Sequence, residues 1–149
     1  MHLRVKPADT KQLEQICTWR YEGAYASFNY ALKAGGWLDA FQKDRIYSVE
    51  EECRIVGVFF LIERNDGRWE YRILVHPQEL GKGLGKRITL LALCEARRLG
   101  IDELMLLVRQ DHETAHRLYR SVGFVETGMV RERVAGEPRV MCQMMKRLA

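Results

Sequence analysis

Apolar residues recur along this chain with two spacings. His2 to Lys6 alternates and reads as a short strand ending at Pro7. Leu13, Ile16 and Cys17 follow helical spacing, and Asp9 is placed to cap a helix running to about Arg20. Tyr21 to Trp37 is rich in aromatic and small residues, helical in parts and interrupted at Gly35-Gly36. Ile46 to Glu50 is a short strand. Arg54 to Glu63 is almost continuously apolar, which predicts a central strand covered on both faces. Asn65-Asp66-Gly67 signals a hairpin turn, and Trp69 to Val75 is the next strand, stopped by Pro77.

The second half carries the clearest helix. Leu84, Ile88, Leu91, Ala92, Ala96 and Leu99 share one face of Leu84 to Leu99, and Gly100 ends it. Glu103 to Val108 is an apolar strand. Asp111 can cap a second helix, in which Ala115, Leu118, Tyr119 and Val122 keep helical spacing up to Gly123. Phe124 to Val134 and Arg139 to Lys146 read as two strands around an Ala135-Gly136-Glu137-Pro138 turn. Helices interrupt strands without regular βα alternation, so a mixed α/β sheet of the α+β type is expected. Trp69–Val75 and Glu103–Val108 should run parallel, because a helix crosses over between them.

Composition narrows the class. At 149 residues with no repeat or linker, residues 1–149 are expected to form one domain. The net charge of +4 suits an anionic ligand, but the basic residues are dispersed among 20 acidic ones and form no run, so no nucleic-acid partner is expected. Cys17, Cys53, Cys94 and Cys142 form no CxxC pair. They read as reduced, mostly buried thiols, and no metal site is expected. No signal-peptide core or membrane-length apolar stretch is visible, which predicts a cytoplasmic protein with no membrane partner.

The most informative segment joins a strand to a helix: Ile73-Leu74-Val75, His76-Pro77-Gln78-Glu79-Leu80, then Gly81-Lys82-Gly83-Leu84-Gly85-Lys86. Glycines let main-chain N–H groups approach an anion, and a helix N-terminus adds unpaired donors and partial positive charge. Together they suit a diphosphate, and Lys82 and Lys86 add cationic charge. A P-loop is excluded, because Leu80 stands where its first glycine belongs and Arg87 where it needs Ser or Thr. A dinucleotide fingerprint fails too, since the glycines run GxGxG and not GxGxxG. A tight strand-to-helix connection with no ligand is the plain alternative.

Val75-x-Pro77 followed by Gly81-x-Gly83-Leu84-Gly85 resembles the acetyl-CoA-binding motif of the GNAT superfamily of N-acetyltransferases. Ala115-x-x-x-Tyr119-x-x-x-Gly123-Phe124 is similar to that family's downstream helix motif. The resemblance implies a mixed, largely antiparallel central sheet with helices on both faces, splayed where the cofactor enters. It implies acetyl-CoA as cosubstrate and transfer of its acetyl group to an amine of a small molecule or protein. A catalytically silent acyl-CoA-binding module is the alternative.

By the same resemblance, Ile73, Leu74 and Val75 would hold the acyl and pantetheine part, and Gly81 to Lys86 the diphosphate. Tyr119 would protonate or hydrogen-bond the leaving thiolate; its plain reading is a core aromatic. Leu80 replaces the family's usual Arg or Gln, and His112 stands where the family has a cofactor-contacting Asn. Glu70 is the first candidate for the base that removes the amine proton, although alternation points it away from Tyr71, Ile73 and Val75. A surface glutamate is its alternative reading. Tyr21, Glu22 and Tyr25 are candidates to line the acceptor pocket. The oligomeric state is open.

Overall fold

A computed structural model describes residues 2–32, 45–134 and 137–149. In chain order these form β1 (Arg4–Pro7), α1 (Thr10–Ile16), a 3-10 segment (Gly23–Phe28), α2 (Asn29–Leu32), β2 (Ile46–Glu51), β3 (Arg54–Glu63) and β4 (Trp69–Val75). A 3-10 turn (Pro77–Glu79) leads to α3 (Leu84–Arg98), β5 (Glu103–Arg109), α4 (Glu113–Ser121), β6 (Val125–Val134) and β7 (Glu137–Arg147). The expected break at Gly35-Gly36 and the turn residues Ala135-Gly136 lie outside the described residues.

The strands form one seven-stranded sheet in the order β1-β2-β3-β4-β5-β7-β6, antiparallel at every neighbour except β4–β5. The expected mixed, largely antiparallel sheet is therefore observed. β3, the most apolar segment, is buried from Ile55 to Leu61. Phe59 and Leu61 face α3, packing with Tyr47, Tyr71, Leu84, Ile88 and Ala92. Val58 and Phe60 face the other way, against Leu13, Ile16, Trp19, Tyr21 and Leu74. Helical segments thus cover both faces, and β3 is the shared wall. Gly57 brings α3 close to the sheet: a Cβ there would meet Ile88 Cδ1 at 2.6 Å and the Leu74 carbonyl at 3.3 Å.

Several boundaries differ from expectation. α1 stops at Ile16, four residues before Arg20; the N–H groups of Thr18 and Trp19 turn back to Gln15 and Ile16 at 3.0 Å, which tightens the end into 3-10 form. Its start is as expected, with Asp9 and Gln12 forming a reciprocal capping box. The second long helix is capped by His112 and not Asp111, because the imidazole Nδ1 accepts the Ala115 N–H at 3.3 Å. Glu137 and Pro138 are paired residues of β7, opposite Val134 and Arg133, so the hairpin is tighter than the four-residue turn expected. The thiols are also less buried than expected: Cys142 is buried, Cys17 intermediate, and Cys53 and Cys94 are exposed. Among the described residues no helix is long and apolar enough to cross a membrane.

Candidate functional site

β4 and β5 are bonded only at Trp69–Leu104 and Glu70–Met105. Beyond these pairs the ladder ends, although β4 continues to Val75 and β5 to Arg109. Main-chain groups of Ile73 and Val75 that point toward β5 therefore have no strand partner there. Hydrogen-bonding groups of this kind favour a ligand that can replace the strand. The open end of this seam lies at the C-terminal ends of two parallel strands, where α/β sheets commonly bind ligands.

The glycine turn follows directly. Gly81 and Gly83 have φ of 79° and 78°, which glycine adopts without strain, and Gly83 is the N-cap of α3. A Cβ at either glycine would meet nothing within 4 Å, so space lies open before both. The first-turn N–H groups of Leu84, Gly85 and Lys86 lack intrahelical acceptors by helix geometry. Gly85 differs from the other two: it sits inside the helix, and a Cβ there would meet Leu118 Cδ1 of α4 at 2.9 Å. Its lack of a side chain lets α3 and α4 approach, and its N–H stays with the first-turn donors.

Charge at the turn is more structured than the sequence suggested. The Lys82 ammonium binds Glu79 at 2.9 Å, and Arg54 binds the other Glu79 oxygen at 2.6 Å. Glu79 is buried, and its two partners, Lys82 first, hold its carboxyl below the usual carboxylate range. Part of the Lys82 charge is thus spent on anchoring the turn. Lys86 is exposed at the start of α3. The i, i+3 spacing of Glu79 and Lys82 was the only sequence signal of this anchor.

Tyr119 projects from α4 edge-on to Tyr71, with ring centroids 6.5 Å apart and planes at 90°. Tyr71 is the first β4 residue beyond the last bonded pair, so Tyr119 stands where the seam begins to open. Phe124 packs on it at 5.9 Å. Burial pushes the Tyr119 phenol up to about 12, which keeps it a proton donor at neutral pH. Tyr71 itself donates to or accepts from Thr89 at 2.9 Å.

Glu70 is not a surface residue: it is 2% exposed. Its oxygens accept from Arg64 at 2.5 Å and Arg72 at 2.7 Å. As alternation requires, it leaves the sheet on the side away from Tyr71. Glu132 on β6 lies within electrostatic reach, half-buried, and burial followed by the Glu70 charge raises its carboxyl above the usual range. No local pattern in the sequence could have placed Glu132 near Glu70, since the strands meet only through the sheet order.

His112 spends Nδ1 on capping α4, and its ring meets Tyr25 edge-on at 5.8 Å. Burial and then Arg109 lower its affinity for a proton. Tyr21 closes the opposite side: its hydroxyl donates to the Val75 carbonyl at 2.6 Å, and Asn29 clamps its main chain through both amide atoms. Ile73 and Val75 are half-exposed, whereas Leu74 is buried against α1. The main chain of Leu74 is turned to Val58 of β3, so of the three residues Ile73 and Val75 are the ones that face the seam. Glu22 is exposed and Tyr25 half-exposed.

The profile of the acetyltransferase (GNAT) family matches residues 10–124. The mycothiol acetyltransferase of Actinosynnema mirum is 31% identical over 110 residues, covering 72% of this chain and 36% of that protein. The spermidine N(1)-acetyltransferase of Escherichia coli K12 is 33% identical over 90 residues, covering 58% and 48%. The chain thus spans about a third to a half of the length of these curated relatives. Among solved structures, the spermidine N-acetyltransferase of Vibrio cholerae in complex with CoA and spermine superposes with a TM-score of 0.78 at 20% identity, covering 98% of this chain and 95% of that one.

Proposed function

Because the chain belongs to the GNAT family of acetyltransferases, we propose that it is an N-acetyltransferase that moves an acetyl group from acetyl-CoA to a primary amine. The observation that carries this reading is the seam: strands bonded at two residue pairs only, opening toward a glycine turn and a helix N-terminus. The residues fit the cosubstrate. Main-chain groups of Ile73 and the Val75 N–H, which point toward the open seam, suit an amide-bearing pantetheine, and the open space before Gly81 and Gly83 suits its diphosphate.

Acetyl-CoA supplies an activated thioester whose carbonyl carbon accepts the amine. The chain's own part is to position and to move protons. Gly81, Lys82, Gly83, Leu84, Gly85 and Lys86 anchor the diphosphate through N–H groups and charge. Tyr119 donates its phenolic proton toward the departing sulfur, a role consistent with its protonated state. His112 contributes packing beside Tyr25 and leaves only Nε2 for a ligand contact.

Two carboxylates compete to take the amine proton. Glu70 stands at the branch point but has both oxygens committed to arginines, so it serves as an anchor for the site's wall. Glu132, within electrostatic reach of Glu70 and with its carboxyl raised by burial, is the alternative base that we carry forward to test. The names of the relatives point to amine-bearing acceptors such as spermidine. We place the protein among enzymes that work in the cytoplasm, as a single domain over residues 1–149. The test is thiol release from acetyl-CoA across a panel of polyamines, amino acids and peptide N-termini. Amine-dependent release supports the reading, whereas tight CoA binding without release by any amine favours a silent binding module.

A further inference from the structure

Beside α4, three side chains from separate elements converge. They are His116 of α4, Glu126 of β6 and Cys142 of β7, and one ligand atom from each lies within 4.8 Å of the others. None takes part in the chemistry proposed above. The sheet explains the meeting. Glu126 pairs with Met144 and Met129 with Cys142, so β6 carries one extra residue between Glu126 and Gly128. That bulge holds Glu126 on the same face as Cys142, under α4.

His116 is 8% exposed, and its ring orientation is set from one end. Nε2 lies 3.0 Å from the Arg109 carbonyl, so in the neutral ring this nitrogen carries the hydrogen and donates it. Nδ1 then presents a lone pair to Glu126 Oε1 at 3.4 Å and has no hydrogen-bond partner. A buried lone pair facing a carboxylate is unfavourable unless a proton or a metal cation lies between them. Cys142 is 3% exposed, and burial with the Glu126 charge pushes its thiol up. A cation would reverse that push and release the thiol proton to solvent.

We propose that His116 Nδ1, Glu126 and Cys142 Sγ form a site for one divalent ion of the zinc class. The donor set is nitrogen, sulfur and carboxylate oxygen, the mixture that such ions prefer, and it leaves a fourth position open. The 3.4 Å between Nδ1 and Oε1 matches the edge of a tetrahedron with bonds of about 2.0–2.2 Å. The His116–Arg109 hydrogen bond is the outer contact that usually orients a ligating imidazole. Arg120 also binds Glu126, and it must shift to the second carboxylate oxygen when the ion enters. The ion would clip α4, which carries Tyr119, to the β6–β7 hairpin. The wide sequence spacing of the three ligands is why no CxxC-like signal announced them.

Titration of the metal-free protein with Co²⁺ alone tests the site. Uptake of one equivalent is expected, with a near-ultraviolet thiolate-to-cobalt band that excess Zn²⁺ abolishes. The band should persist when Cys17, Cys53 and Cys94 are all replaced by Ser, and vanish in Cys142→Ala. Glu126→Gln alters an exposed side chain, so it spares the fold; it should weaken Co²⁺ binding at least about tenfold. No stoichiometric uptake by the wild type, a band surviving in Cys142→Ala, or wild-type affinity in Glu126→Gln would each overturn the proposal.

Discussion

The Tyr21 hydroxyl donates a hydrogen bond to the Val75 carbonyl at 2.6 Å, joining residues 54 positions apart. It ties the segment after α1 to the last residue of β4, beside the open seam. Tyr21→Phe removes the donor and keeps the ring. Stability should fall by about 1 kcal/mol, and by up to about 3 if no water replaces the hydroxyl. A lowered urea midpoint at unchanged slope is the expected result. An unchanged midpoint would mean that the contact adds nothing to the fold.

Gly83 holds φ at 78° with open space ahead of it. Gly83→Asp would put a carboxylate where the diphosphate is proposed to bind. It should also cost about 1–2 kcal/mol for the left-handed backbone. CoA at about 100 times its Kd should add roughly 2.7 kcal/mol to wild-type stability and nothing to the variant. Thermal unfolding with and without CoA reads both numbers. A wild type indifferent to saturating CoA would remove the glycine turn from cofactor binding.

Tyr119→Phe separates chemistry from packing. The ring contacts with Tyr71 and Phe124 survive the change. CoA affinity and stability should barely move, while turnover falls roughly 10- to 10³-fold. Tyr119→Ala should in addition lose about 3–5 kcal/mol of stability. A fully active Tyr119→Phe enzyme with chemistry rate-limiting would leave Tyr119 a core aromatic only.

Glu70 and Glu132 should divide their effects. Glu70→Gln leaves Arg64 and Arg72 facing a neutral amide, so stability should drop by roughly 1–3 kcal/mol with turnover per folded molecule largely kept. Glu132→Gln should leave stability nearly unchanged and lower turnover about 10²-fold or more. Denaturant curves and steady-state rates on both variants check the assignment. The reverse pattern would return the base to Glu70.

High pH should weaken the fold. Burial holds Tyr47 and Tyr119 up to about 12, and raises Tyr21 and Tyr71 further. In the unfolded chain these phenols titrate near pH 10. Their contribution is complete below that value and is lost as pH climbs through the folded values, because the unfolded state then binds fewer protons. Urea midpoints should fall between about pH 10 and pH 12, less steeply in Tyr119→Phe. A flat profile there would contradict the burial of these rings.

The parts legible in the sequence were those with a local cause. β3 and β4 were bounded correctly because apolar runs and Asn65-Asp66-Gly67 mark their ends. The turn itself was legible because Gly81 and Gly83 stand between a strand and a helix, where the chain takes positive φ. The β2–β3 turn was less visible: Glu52 and Cys53 take φ of 50° and 63°, which neither residue type advertises. Distant partners were invisible. The i, i+2 spacing of Glu70 and Arg72 was a local hint of their ion pair, but nothing foretold that Glu70 would be buried, and nothing near Lys82 except Glu79 foretold its anchoring. The N-cap of α4 was misassigned by one residue, because a histidine nitrogen did the work usually given to an aspartate oxygen.

The short β4–β5 ladder also makes cohesion of the sheet a property of occupancy. On the main chain, the β1–β4 block and the β5–β7–β6 block meet at two rungs, and α3 spans the rest by packing. A ligand lying along Ile73 to Val75 would supply the missing rungs and stiffen the molecule across its middle. Amide hydrogens on that edge should then exchange with solvent quickly in the empty protein and slowly in the loaded one. The same groups that recognise the cosubstrate would act as a zipper whose teeth engage only when it is present.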